Sequence, residues 1–287
     1  MTDRLALATC QSWPILDDDG PVLLEALAAE GFQVDIRSWD SDTDWGAYDL
    51  VVIRTTWDYW DRHAEFLAWT RRVPRLANSA DVVAWNTDKR YLERLGEAGI
   101  PVVPTTWVAP GDPFTAPDSP YVVKPAVSAG ARDTAAYQAD DPEGPAHVAR
   151  LQGSGRLVMV QPYLDEVVLA GETSVLVFDG EVSHGARKSA VLSVGEGEAE
   201  LGSWEMTARS PSDEEAAVAR RAVEVATSWG DPLLYARVDL LPGPVVLELE
   251  VTEPSLFLVH APGSAQRYAA AVRRWVDRSA GTATMPS

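Results

Sequence analysis

The sequence predicts an α/β protein: an N-terminal βαβ lobe followed by mixed α+β lobes. Three observations carry that prediction. The first eighty residues alternate buried-type strands with helix-period segments. Further along, paired strand patterns surround strong turn signals, Asp179-Gly180 and the Leu-Pro-Gly-Pro run at 241–244. The length of 287 residues exceeds one typical domain and suits two or three compact lobes. We expect divisions at 1–80, 81–165 and 166–287.

In the first lobe, LALAT at 5–9 reads as a buried strand and PVLLEALAAEGF at 21–32 as a helix that Gly31 stops. QVDIRSW at 33–39 alternates as a strand. DLVVIRTTW at 49–57 opens apolar and ends polar and aromatic, and a helix follows at 61–73. Ligands of a parallel sheet sit beyond the carboxyl ends of its strands. Arg54, Thr55, Thr56 and Trp57 are therefore substrate-site candidates by position, and Arg54 suits a carboxylate.

The second lobe opens with Asn86, Thr87 and Asp88 as caps of a helix over 87–97, ended by Gly99 and Pro101. Extended structure resumes at 101–108, and a turn-rich linker covers 109–120. A short strand, YVVKP at 121–125, leads into the small-residue loop AVSAGARD at 126–133. A helix over 144–153 and a strand over 156–164 close the lobe. The third lobe has a hairpin over 172–190, a Gly- and Glu-rich exposed insert at 192–205, and a helix over 213–229. Two strands follow within 234–258, then a helix over 263–278 and frayed small residues at the end.

Composition excludes several functions. The single Cys10 rules out an internal disulfide and a multi-cysteine zinc site, and four histidines make no paired ligand set. With 24 basic against 43 acidic residues, the net charge of -19 disfavours nucleic acid. No apolar run is long enough to span a membrane, and the N-terminus lacks a secretory pattern, so the expectation is a cytoplasmic protein.

The densest chemistry lies in VDLLPGPVVLELEVTEPS. Glu248 and Glu250 share one strand face, and Asp239 lies on the strand before them. Three carboxylates on an otherwise apolar hairpin repel one another unless a cation neutralises them, and oxygen ligands favour Mg²⁺ or Mn²⁺. The competing reading is a solvated acidic face. Arg237 precedes Asp239 by two and either binds phosphate or pairs with the carboxylates. Lys124 stands at a strand end beside Ser128 and Gly130, small residues that let an anion approach the backbone. The alternative there is a plain surface loop. Lys89 lies in the first turn of the expected helix, where a positive charge is unfavourable without an anion. Arg187 and Lys188 are adjacent, so one of them faces the cleft.

In order, these segments resemble the ATP-grasp superfamily over roughly residues 80 to 275, with the earlier part like that family's preceding substrate lobe. The likeness is to the branch of glutathione synthetase, the ribosomal-protein glutamate ligases and the cycloserine-forming, O-ureido-serine cyclo-ligase-like enzymes. VTEPSLF at 251–257 is most similar to the cycloserine type, and Glu250 stands where many relatives have Asn. The resemblance implies that Lys89 and Lys124 contact ATP phosphates and that Ser128 and Gly130 belong to a closing loop. It implies Gln161, Tyr163 and Leu164 at the adenine and Glu166 at the ribose. Arg187 and Lys124 would serve catalysis, Asp239, Glu248 and Glu250 would hold magnesium, and Arg237 and Ser255 would join the substrate site. The implied activity is ATP-dependent joining of a small carboxylate to an amine through an acyl phosphate, by a monomer or homodimer. A small-molecule kinase and a non-catalytic nucleotide-binding module are the alternatives.

Overall fold

The computed structural model describes residues 2–190, 192–195, 197 and 205–282. Strands β1 (Arg4–Thr9), β2 (Gln33–Ser38), β3 (Leu50–Thr55) and β4 (Leu76–Ala77) form a parallel sheet in the order β2-β1-β3-β4. Helices α1 (Gly20–Ala29) and α2 (His63–Thr70) connect them. β1 and β3 are buried almost throughout because both faces of the sheet are covered.

Two short helices, α3 (Ala80–Asn86) and α4 (Tyr91–Glu97), lead to an antiparallel sheet. Its strands are β5 (Thr106–Val108), β6 (Tyr121–Pro125), β7 (Ala135–Tyr137) and β8 (Val158–Pro162), ordered β5-β8-β6-β7 and backed by α5 (Glu143–Gly153). After α6 (Asp165–Ala170), a third sheet takes the order β11-β10-β9-β12-β13. It comprises β9 (Glu172–Phe178), β10 (Glu181–Lys188), β11 (Met206–Arg209), β12 (Tyr235–Leu241) and β13 (Val245–Glu250). Helix α7 (Asp213–Thr227) lies between β11 and β12, and α8 (Ser264–Thr282) follows the sheet. The β9–β10 turn has positive φ at both Asp179 and Gly180, +53° and +83°, the twist a two-residue hairpin needs.

The helix expected over 87–97 covers only Tyr91–Glu97 (α4), and a separate helix, α3, precedes it. Ser79 Oγ accepts from the Val82 N–H and starts α3, whereas Asn86, Thr87 and Asp88 fall where α3 ends. Lys89 therefore precedes α4 instead of occupying a first helical turn. The extended reading of 234–258 stops at Glu250. The terminal helix outlasts its expected end and runs to Thr282, with residues 283–287 outside the described part. Most of the 192–205 insert also lies outside it. The short strands β4, β7 and β11 and the helix α6 carry too few residues for a periodic signal.

One core joins the first sheet to the C-terminal helix: Leu5 and Leu7 of β1 and Leu23 and Leu27 of α1 meet Phe178, Tyr235 and Tyr268. A second packs α4 and α7 under the third sheet, through Leu95, Val223, Val175 and Val238. Each such side chain contributes about 1.5–3 kcal/mol on burial. The second and third sheets, with the segments beyond β1 and β3, line a shared cavity. Among the described residues, no helix is long and apolar enough to cross a membrane.

Candidate active site

The cavity measures about 730 Å³ and draws its walls from the second and third sheets and from the segments that follow β1 and β3. One wall is the β12–β13 hairpin. Its register sets Asp239 opposite Glu248 and Arg237 opposite Glu250. Carboxylate oxygens of Asp239, Glu248 and Glu250 lie within 4.8 Å of one another. Arg237 grips Asp239 with Nε to Oδ1 at 2.9 Å and Nη2 to Oδ2 at 2.9 Å, and reaches Glu250 Oε1 at 2.6 Å. The Ser174 hydroxyl donates to Asp239 Oδ1 at 2.6 Å. Lys89 Nζ meets Glu248 Oε1 at 2.9 Å and the Ser128 carbonyl at 3.0 Å.

These contacts divide the carboxyl groups. Burial opposes ionisation of Asp239, but Arg237 and Lys188 outweigh it and hold the group below its usual range. Burial likewise opposes ionisation of Glu248, and Lys89 and Lys124 overcome it. For Glu250, burial prevails over Arg237, and with Glu248 and Asp239 adding repulsion the carboxyl rises to about 7. A compact set of three carboxylates fits a hard divalent cation such as Mg²⁺ or Mn²⁺, which favours oxygen ligands and relieves their repulsion.

Lys124 on β6 and Lys188 on β10 also line the cavity. Desolvation pulls the Lys124 ammonium down to about 8 against the pull of Glu248, with Lys89 adding repulsion. Lys188 Nζ pairs with Glu172 Oε2 at 2.7 Å. Ser128 and Gly130 line the same space on a loop with positive φ at Gly130, Ala131 and Asp133. Arg132 from this loop stacks over Trp60 at 4.3 Å, linking the loop to the N-terminal lobe. Gln161, Tyr163 and Leu164 form another wall. The Gln161 amide donates to Thr105 Oγ1 at 2.9 Å.

Several expected residues lie elsewhere. Arg187 is exposed, outside the lining, and its Nε donates to the Ala170 carbonyl at 2.6 Å. Alternation along β10 turns Lys188 inward instead. Glu166 is exposed in the first turn of α6, also outside the lining. The Tyr163 N–H, expected at the adenine edge, already donates to Pro120 O at 2.9 Å. Arg54, Thr55 and Thr56 are buried away from the cavity. β3 continues through Thr55, so these side chains enter the interior. Arg54 Nη1 donates to Pro254 O at 3.0 Å, and the Thr55 hydroxyl donates to Ile15 O at 2.7 Å. Of that run only Trp57 lines the cavity, and Arg237 and Ser255 do as well.

Sequence reasoning passed over Tyr59, Glu172 and Glu253, which also line it. Glu253 is 8% exposed. Burial, reinforced by Glu250, raises its carboxyl to about 8 against the pull of Lys89. It lies inside VTEPSLF, so a buried acid beside the metal candidates was the signal available.

Residues 5–78 match the family described as D-cycloserine synthetase DcsG, N-terminal domain. The cycloserine biosynthesis protein DcsG of Streptomyces lavendulae is 39% identical over 292 residues, covering 93% of this chain and 97% of that protein. The crystal structure of D-cycloserine synthetase DcsG superposes with a TM-score of 0.87 at 35% identity, covering 95% of this chain and 99% of that one. A D-alanine–D-alanine ligase from Bacillus anthracis shares the fold, with a TM-score of 0.66 at 14% identity over 96% and 98% of the two chains. Sequence identity over nearly its whole length, together with this fold, shows that the chain belongs to the DcsG family of ATP-grasp ligases.

Proposed function

We propose that this ATP- and magnesium-dependent carboxylate–amine ligase closes a ring within one small amino-acid derivative of the O-ureidoserine type. The observation that carries the reading is the meeting of the Asp239, Glu248 and Glu250 cluster with Lys89, Lys124 and Lys188 around one cavity. Likeness to a protein described as a D-cycloserine synthetase supports the ring-forming outcome. In the proposed reaction the substrate carboxylate attacks the γ-phosphorus of ATP, giving an acyl phosphate and ADP. The oxyamine nitrogen of the same molecule then attacks the acyl carbon and loses its proton as inorganic phosphate leaves. Nitrogen, oxygen, two carbons and the acyl carbon make a five-membered ring. Water then adds to the carbamoyl carbon, its bond to the ring nitrogen breaks as that nitrogen takes a proton, and the carbamate released falls apart to carbon dioxide and ammonia.

Lys89, Lys124 and Lys188 offset phosphate charge, and Ser128 and Gly130 cover the phosphates against water. Asp239, Glu248 and Glu250 hold magnesium, which supplies positive charge at the ATP phosphates. Gln161, Tyr163 and Leu164 flank the base. Arg187 and Glu166 enter this scheme only if their segments move inward. The enzyme works on free small molecules in the cytoplasm, where ATP and magnesium are supplied. The test is incubation with ATP, Mg²⁺ and O-ureido-D-serine, following ADP, inorganic phosphate and the ring product by mass spectrometry. The expected outcome is one ADP and one phosphate per ring. A phosphorylated substrate without free phosphate assigns a kinase, and ATP binding without turnover assigns a binding module.

A further inference from the structure

The cavity carries, among its aromatic lining, an acid that has no ion-pair partner of its own. Glu253 lines it with Trp57, Tyr59, Ser255 and Phe257. Arg237 and Lys89 are committed to the metal-candidate carboxylates. Among the described residues no cationic side chain forms an ion pair with Glu253, and the Tyr59 hydroxyl that lines the cavity with it donates to the Ser128 carbonyl at 3.4 Å. Desolvating a carboxylate without a counter-ion is costly, so this acid is better suited to a bound cation than to the empty cavity.

The backbone around it is held from several directions. Carbonyls of Glu253, Pro254 and Ser255 accept from Trp57 Nε1 at 3.3 Å, Arg54 Nη1 at 3.0 Å and Arg237 Nη1 at 3.3 Å. Just before them, the Val251 N–H and Thr252 hydroxyl both donate to the Asn86 side-chain oxygen. Such fixing at consecutive residues presents one side chain to the cavity in one place, at little ordering cost on binding.

We propose that Glu253 is a specificity-determining residue whose carboxylate binds the α-ammonium of an amino-acid substrate. Resting on the ligase reading, this deepens it. An α-amino acid carries its ammonium one carbon from its carboxylate, so anchoring the cation at Glu253 keeps the carboxylate within the same cavity that Lys89, Lys124 and Lys188 line. Aromatic faces at Trp57 and Tyr59 add to the attraction for an ammonium. The acid would thereby separate substrates that share a carboxylate and an oxyamine but differ in the amine.

The experiment compares O-ureido-D-serine with its des-amino analogue, 3-(ureidooxy)propanoate, in the wild-type protein and in Glu253→Gln. Binding is measured by calorimetry with Mg²⁺ and a non-hydrolysable ATP analogue, and turnover by ADP release. Wild type should bind the amine about tenfold or more tightly than the analogue. In Glu253→Gln that preference should fall to about twofold, with KM for ATP unchanged. Glu253→Asp, which keeps the charge, should restore part of the preference. Equal binding of the two compounds by wild type overturns the proposal without needing any variant to fold. So does a Glu253→Gln protein that retains the preference, or one that loses kcat alone together with a limb of its pH profile, the mark of a proton-transfer group. Amine-dependent binding without ADP release sinks the ligase reading and leaves the Glu253 assignment standing. Ring formation without amine preference does the reverse.

Discussion

His184 carries the clearest pH linkage outside the cavity. It is 7% exposed, and its Nε2–H donates to the Leu256 carbonyl at 2.9 Å. Burial lowers its pKa to about 4, with nearby Arg267 also opposing a second positive charge. A folded pKa below the unfolded value of 6.5 means the unfolded chain binds more protons between those limits. The native state is therefore fully favoured above about pH 6.5 and loses about 3 kcal/mol as pH falls to about 4. Urea unfolding of wild type and His184→Gln across pH 7.5 to 4 should show their stability difference shifting by that amount in favour of the variant. A pH-independent difference would refute the assignment. At this scale the cavity was partly readable from sequence. Lys124 and the three carboxylates could be named because charge beside apolar strand residues stands out, whereas Lys89 was named for a first helical turn that it does not occupy. Glu253 was passed over: its place in VTEPSLF was readable, but the setting of its backbone depends on Trp57 and Arg54, nearly two hundred residues away. Arg187 and Lys188 differ only in strand phase, which the register with β9 decides.

Helix α7 shows how a local signal becomes an element. Ser212 Oγ accepts from the Glu215 N–H, and the Glu215 carboxylate accepts from the Ser212 N–H at 2.7 Å, satisfying two exposed donors at once. Arg209 adds an ion pair to Glu215 at 2.8 Å. Ser212→Ala should lower stability by about 1 kcal/mol, and Ser212→Asp should recover most of it, both read from urea midpoints at constant m. Equal stability of the alanine variant and wild type would show that the cap contributes nothing. This helix was legible because its cap, period and stop lie within one stretch of chain. The β12–β13 hairpin was legible for the same reason, since period two and the turn between the strands fix the shared face. The break between α3 and α4 was not. Asn86 can cap a helix, but here its amide donates to Leu249 O at 2.7 Å and its oxygen accepts from Val251. That distant partnership outweighs the local cap signal.

Across the whole molecule, the N-terminal sheet and the third sheet share a polar seam that fixes the cavity between them. Asn78, fully buried just beyond β4, donates through its amide to Tyr235 O at 3.0 Å and Val251 O at 2.7 Å. Its side-chain oxygen accepts from the Leu234 N–H at 2.7 Å. The Tyr235 hydroxyl extends the seam by donating to Thr252 O at 2.8 Å. One side chain thus satisfies three backbone groups at the joint, two flanking the start of β12 and one just after β13. Asn78→Ala removes all three bonds without supplying a solvent path, so it should cost about 3 kcal/mol or more. Asn78→Asp keeps the acceptor for Leu234 but sets a carboxylate against two carbonyls, and should be no better tolerated. Because the seam holds Val251 and Thr252, and through them Glu253, substrate-dependent ADP release should fall in both variants even where the protein remains folded. Urea unfolding and initial rates on the same preparations provide the check. A loss below about 1 kcal/mol with normal turnover would mean that the apolar core alone aligns the two sheets.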